Sequence, residues 1–250
     1  MDKQRFKDAC ESVISAERIR NGIGTLGEKT LHAVMKLYYE PNTDNHEIKV
    51  GTYVADIVND NGIIEIQTRS FNTLRKKLAV FLEQSPVTVV YPLPKTKWLL
   101  WIDEQTGEVT KKRKSPKQGS ILDAIPELYK IKPLLNHPNF RLRIILIDME
   151  EYRYLNGWSD DKKRGSTRCD RIPVDIAEEV YFSSPEDYLQ YIHDELHQSF
   201  TTRDYKKQTK TNLRNAQVTL HILHHIGTLK RVGKQGNSYV YEREIDYARS

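Results

Sequence analysis

A hairpin in the first third of the chain constrains the fold more than any other feature. Tyr53-Val-Ala-Asp-Ile-Val58 and Ile63-Ile-Glu-Ile-Gln-Thr68, joined by Asn59-Asp-Asn-Gly62, read as two antiparallel strands and their turn. Alternation puts Val54, Asp56 and Val58 on one face of the first strand, and Ile63, Glu65 and Gln67 on the same face of the second. Pairing Val58 with Ile63 sets Asp56 opposite Glu65, with Cβ atoms roughly 5 Å apart. A two-residue slip, with Asn61-Gly62 as the turn, would set Asp56 opposite Gln67 and keep Glu65 diagonal on that face. Two carboxylates so placed repel each other, and a divalent cation or a shared proton relieves them. Acids on the solvent side of an antiparallel sheet produce the same alternation. Against that plainer reading, Tyr53, Ala55, Ile57, Ile64 and Ile66 form an opposite face that buries well. Val54, Val58 and Ile63 make the acidic face partly apolar too. Asp56, Glu65 and Gln67 are therefore candidate site residues.

A chain of 250 residues, 38% hydrophobic, can bury a real core, as one large domain or as a domain with a small appendage. It contains no apolar run of 18 residues and no basic-then-apolar leader, so neither a membrane span nor a secretory signal is expected. Cys10 and Cys169 are its only cysteines, which argues against a disulfide framework or a cysteine zinc site. A cytoplasmic protein is expected.

Before the hairpin, a charged helix is expected to about Arg20, and a second from near Glu28 to Glu40, stopped by Pro41. The second carries Leu31, Val34, Met35, Tyr38 and Tyr39 at helical spacing, and Glu28 extends the stripe. Glu28 and His32 can then reach inward toward a sheet, although a first-turn Glu also complements a helix dipole. After the hairpin come a helix from Phe71 to Glu83, strands at Val87–Tyr91 and Trp98–Ile102, a helix near Ile121–Tyr129 and an apolar strand at Leu142–Asp148. Two polar basic loops are expected: residues 107–119, with Lys111-Lys-Arg-Lys114 and Lys117, and residues 160–171. The first suits solvation or phosphate contact.

The positive charge is concentrated at the C-terminal end. Residues 200–250 hold ten Lys or Arg against four acids, and the chain as a whole is only +5, so the preceding residues sum to −1. Such asymmetry suits a nucleic-acid-binding module on a near-neutral body. Ser184-Pro-Glu-Asp187 opens one expected helix, with Tyr188, Leu189, Ile192 and Leu196 on its buried side. Thr201 and Asp204 have capping-box spacing for a second helix. A third, from 211 to 226, has Leu213, Ala216, Leu220 and Leu223 as its core stripe. Its other side offers Arg214, Asn215, Gln217, Thr219, His221 and His225, and Gly227 ends it. A second hairpin follows, Leu229–Val232 and Ser238–Glu242, with a basic tip.

Three helices and a hairpin resemble a winged helix-turn-helix domain over residues 184–243. The resemblance implies that the helix 211–226 enters a DNA groove, with Arg214, Asn215 and Gln217 near base edges and Lys230, Arg231 and Lys234 near phosphates. Winged helices also dock proteins, so a protein partner stays open.

A helix with Glu28, a strand with Asp56, a strand with Glu65-Ile-Gln67 and a following helix resemble the PD-(D/E)XK nuclease superfamily over residues 28–91. Gln67 departs from its pattern, standing where Lys is usual, and no Pro precedes Asp56. The resemblance implies an α/β (α+β) fold with a mixed central sheet flanked by helices, restriction-endonuclease-like over residues 1–180, plus the small winged-helix domain over 184–250. It implies that Asp56, Glu65 and the Ile66 carbonyl ligate Mg²⁺ or Mn²⁺, that Glu28 adds an acid and that Gln67 orients the attacking water. Lys49 and His32 are candidates to replace the missing ammonium. The expected function is a metal-dependent DNA endonuclease, with a homodimer by analogy. The alternative is an inert nuclease-fold protein acting as a DNA-binding regulator or as an assembly protein of mobile elements or defence.

Overall fold

Residues 1–21, 30–157 and 167–244 are described by the computed structural model. They form an α+β protein with a large mixed sheet and flanking helices. The chain begins with α1 (Lys3–Asn21) and α2 (Thr30–Tyr39), then forms β1 (His46–Val50), β2 (Tyr53–Asn59), β3 (Gly62–Ile66), α3 (Phe71–Leu82), β4 (Val87–Ile102), β5 (Arg113–Lys114), α4 (Ile125–Lys130), β6 (Phe140–Tyr154) and β7 (Arg168–Phe182). Strand order is β1-β2-β3-β4-β6-β7, with β5 paired to β4. The first three strands are an antiparallel meander. From β3 the chain reaches its neighbour β4 through α3.

Chain contacts divide the molecule into two compact units: Met1–Thr68, Val90–Ser120 and Ile144–Val180 form the first, and Arg69–Val89, Ile121–Arg143 and Tyr181–Ser250 the second. The core of the first unit follows from two periodicities. Phe6, Ala9, Cys10 and Val13 line one side of α1, and Leu31, Val34, Met35 and Tyr38 one side of α2. They close on Ile57, Ile66 and Val90, on Ile145, Ile147 and Met149 at every second position of β6, and on Ile176 of β7. Each fully buried Leu, Ile or Phe contributes about 1.5–3 kcal/mol.

Several expectations about the first unit need correction. The two short strands at 87–91 and 98–102 are one strand, β4, despite Pro92 and Pro94. These prolines sit two residues apart, so both missing N–H groups fall on the same edge and the other edge keeps its donors. Strand β6 runs from Phe140 to Tyr154, well beyond the expected 142–148. Arg168 and Arg171 lie on a strand, β7, and not in a loop. The edge strand β1 precedes the hairpin, with Gly51 at φ +61 turning the chain into β2. Val54 on the acidic face is exposed. Glu28 and Lys162, Lys163 and Arg164 of the second basic loop lie outside the described residues.

In the second unit, Ser70 caps α3, whose Phe71, Leu74, Leu78, Phe81 and Leu82 are buried. The Phe71 N–H donates to Glu127 of α4 at 2.8 Å. Residues Pro185–Tyr191 form a 3-10 helix rather than the expected α-helix, opened by Ser184, whose N–H donates to Asp187 at 2.9 Å. Then come β8 (Ser199–Thr201), α5 (Thr202–Thr209), α6 (Leu213–His225), β9 (Leu229–Gln235) and β10 (Ser238–Arg243), with the strands ordered β8-β10-β9 and antiparallel. Thr201 and Asp204 form the expected capping box. Ala216, Thr219, Leu220, Ile222 and Leu223 bury the inner side of α6. Leu213 is 47% exposed because a first-turn side chain leans back past the end of the helix. Thr219 takes a core place, its hydroxyl donating to the Asn215 carbonyl at 2.8 Å.

Candidate functional site

The β2–β3 ladder pairs Asn59 with Gly62, Val58 with Ile63 and Ile57 with Ile64, so the hairpin adopts the unslipped register. Gly62, at φ +109, makes the tight return possible. Continued by one residue, that register sets Asp56 across from Glu65. There the side chains take over from the backbone ladder. The Asp56 N–H donates to Glu65 Oε1 at 3.1 Å, and the Ile66 N–H donates to Asp56 Oδ2 at 2.8 Å. Each carboxylate thus clasps the main chain of the opposite strand. Glu65 is only 3% exposed and the Asp56 side chain 19%. Charge-assisted bonds to backbone donors are what allow acids to sit at such depth.

Three further elements close around the pair. His32, in the first turn of α2, places Nε2 3.3 Å from Asp56 Oδ2. Two residues earlier, the Thr30 hydroxyl donates to Asp170 of β7, and both residues are buried. Past the end of β3, the Gln67 N–H donates to the Val90 carbonyl of β4 at 2.9 Å, and Arg171 of β7 donates to the Thr68 carbonyl at 3.2 Å. Asp56, Glu65 and His32 are therefore brought together, Gln67 follows two residues after Glu65 with its main chain tied to β4, and Asp170 and Arg171 anchor the flanks. Sequence reasoning did not find the last two: they lie more than 100 residues from their partners in sequence, on a strand whose charged residues obscure its alternation. Ile66 has its side chain in the core, which leaves its main chain for any ligand role. Lys49 is exposed on β1. Among the described residues, no three His, Cys, Asp or Glu side chains stand together as a ready metal cluster.

The basic residues of the second unit occupy two neighbouring elements. Arg214 and Gln217 are exposed and Asn215 is half-buried in the first turns of α6; Lys230, Arg231 and Lys234 are exposed on β9. Arg231 stacks over Tyr239 at 4.1 Å, and Lys234 lies 5.2 Å from the same ring. Arg214 and Asn215 line an open groove of about 540 Å³ with Pro126, Tyr129 and Lys130 of α4. One edge of α6 does not face outward as its sequence suggested. His221 Nε2 is 3.0 Å from Lys132 Nζ, and Asn136 donates to the His225 carbonyl at 3.0 Å. Burial and the nearby Lys132 cation hold both imidazoles below the ordinary histidine range.

No helix among the described residues is long and apolar enough to cross a membrane. No solved structure matches the chain. It is similar to an uncharacterized protein of Treponema pallidum (strain Nichols), 27% identical over 229 residues that cover 89% of this chain and 88% of that protein. The family model described as Domain of unknown function (DUF8091) matches residues 29–183, the stretch that holds Asp56, Glu65 and Gln67. Because that match takes in more than half of its length, the chain belongs to the DUF8091 family.

Proposed function

We propose that this chain is a metal-dependent DNA endonuclease with a restriction-endonuclease-like core and a winged helix-turn-helix module that grips the duplex. The observation that carries this reading is the convergence of Asp56 and Glu65 from adjacent strands, Glu65 buried and Asp56 half-buried, both main-chain-bonded and flanked by His32. Helix α2, strands β2 and β3 and helix α3 follow one another in the order that the nuclease resemblance requires. Asp56, Glu65 and the Ile66 carbonyl supply hard oxygen donors, a set that fits Mg²⁺ or Mn²⁺. The ion, when bound, would lower the pKa of a water and stabilise charge on the phosphoryl oxygens.

The chain's own residues account for the other tasks. Gln67 orients the attacking water as a neutral amide and brings no charge of its own. Of the two candidates for the missing cation, His32 is the one against the acids, where its imidazole can hold a proton beside Asp56. On α6 the reading surface narrows to Arg214, Asn215 and Gln217, because the His221 edge is taken by Lys132. Lys230, Arg231 and Lys234 supply phosphate contacts.

One observation favours a second reading, an inert nuclease fold that serves a DNA-binding regulator: Gln67 stands in the position of the usual Lys. Incubation with supercoiled plasmid and Mg²⁺ or Mn²⁺ separates the two. Nicks that vanish in Glu65→Ala are expected for the endonuclease. Binding without cleavage favours the regulator, and absence of binding even at low salt overturns both.

A further inference from the structure

We propose that the strand returning along β4, through Lys111, Arg113 and Lys114, is a second DNA-backbone contact, carried by the first unit and independent of α6. This rests on the endonuclease reading and adds a binding surface to it.

The segment is held as a ribbon. Val109 bridges Ile102, the Thr110 N–H donates to the Trp101 carbonyl, Arg113 and Lys114 pair with Leu99 and Trp98, and the Ser115 N–H donates to the Lys97 carbonyl at 2.7 Å. Lys112 is spoken for: it lies 4.8 Å from the Trp98 ring and 2.6 Å from Glu150. Lys111, Arg113 and Lys114 are exposed and make no ion pair with any described residue. Three uncompensated cations within four residues repel one another, and a polyanion relieves them. Alternate residues of an extended strand stand roughly 7 Å apart, so the charges form a line rather than a point.

The ribbon borders an ion-pair cluster. Glu151, buried on β6, is contacted by Lys97 at 3.0 Å, by Arg153 and by Arg168 at 3.8 Å. Lys97 is the residue whose carbonyl holds the ribbon.

Composition identifies the class of polyanion. From Thr110 to Gln118 the chain has no aromatic or aliphatic side chain except Pro116. A protein interface needs apolar anchors at its centre, and a segment that inserts into a membrane surface needs Trp, Phe or Leu; a nucleic-acid interface needs neither. Position fits as well. Val90, which binds Gln67, and Trp98, which pairs with Lys114, are eight residues apart on β4, up to about 26 Å. At 3.4 Å per base pair that is roughly seven to eight base pairs between the acids and the ribbon.

The test compares wild type with a Lys111→Gln/Arg113→Gln/Lys114→Gln triple variant, titrating a labelled duplex of about 30 base pairs by fluorescence anisotropy from 50 to 300 mM salt in EDTA. Lys112 is kept so that the Trp98 and Glu150 contacts continue to hold the ribbon. The slope of log K against log salt is expected to fall in magnitude by about 2–3, with at least tenfold weaker binding at 100 mM. A wild type that binds while the variant matches its affinity and slope overturns the ribbon contact and leaves the endonuclease reading standing. A wild type that binds no DNA at 50 mM salt overturns both. A urea midpoint equal to wild type ties any loss of binding to charge, and a midpoint lowered enough to unfold the variant in the assay buffer moves the comparison to the three single Gln variants, each expected to lower the slope by about one.

Discussion

Asp56 and Glu65 each bond to the opposite strand rather than to each other: Glu65 Oε1 takes the Asp56 N–H at 3.1 Å and Asp56 Oδ2 takes the Ile66 N–H at 2.8 Å. The two acids therefore have a structural task as well as the proposed chemical one, and substitutions can separate these. Glu65→Gln keeps an oxygen that can accept from Asp56 and removes the charge, so the fold should change by less than about 1 kcal/mol while nicking is lost. Glu65→Ala leaves a buried N–H without its acceptor and should cost about 1–3 kcal/mol in urea unfolding. Equal destabilisation by both variants would argue that the charge itself, not the acceptor, holds the hairpin.

Metal should register in stability apart from activity. An ion that binds only the folded chain at 100 times its Kd adds about 2.7 kcal/mol, which for a protein of this size raises Tm by roughly 5–10 °C. We expect that rise with Mn²⁺ or Mg²⁺, its reversal by EDTA, and its loss in an Asp56→Asn/Glu65→Gln double variant. A thermal-shift titration measures all three.

How much of this was legible in the sequence depended on range. The Val58–Ile63 register was readable because alternation and a Gly-ended turn are local, and both are present within 16 residues. So were α3 and the Thr201–Asp204 capping box. Strands β1 and β7 were not readable, since they lie at the edges of the sheet and carry charged residues at positions where an interior strand would be apolar. Asp175 of β7 meets Lys3 and Glu179 meets Tyr39, contacts with helices that lie far away in sequence. The outward character of His221 and His225 was misread for the same reason: Lys132 and Asn136, which occupy that side of α6, are about 90 residues away. Periodicity reports which face of a helix is polar and says nothing of what polar group will meet it.

Acid should loosen the α6 packing of the second unit. Burial, then the Lys132, Arg231 and His225 charges, hold His221 below the ordinary histidine range; His225 is lowered by burial and Lys132. The unfolded chain protonates these rings near pH 6.5 and the folded chain only at lower pH, so in that window the unfolded state holds more protons. Stability is complete above about pH 6.5 and falls as pH drops through the lowered values. Urea midpoints from pH 7.5 to 5 should show the decline, and His221→Gln should flatten it. A profile unchanged by that substitution would place the titrating group elsewhere.

Glu151 should prove a costly residue to lose. Its side chain is 2% exposed, and burial alone would push its carboxyl up; Lys97 and Arg153, through charge and hydrogen bonds, outweigh that and hold it below the usual carboxylate range. Glu151→Ala removes the one acid that Lys97, Arg153 and Arg168 share, leaving Arg153, itself 11% exposed, as an uncompensated partly buried cation. Breaking a buried pair on one side typically costs about 3–5 kcal/mol. Glu151→Ala/Arg153→Met, which removes the stranded charge and restores apolar volume, should recover much of that loss. Because the folded carboxyl is the more acidic one, wild type should lose this contribution as pH falls below about 4.5, a lower window than that of the imidazoles. Chemical denaturation of the three proteins at pH 7 and pH 4 tests the account, and a single Ala variant within 1 kcal/mol of wild type at pH 7 would show that the three cations are held apart by something other than Glu151.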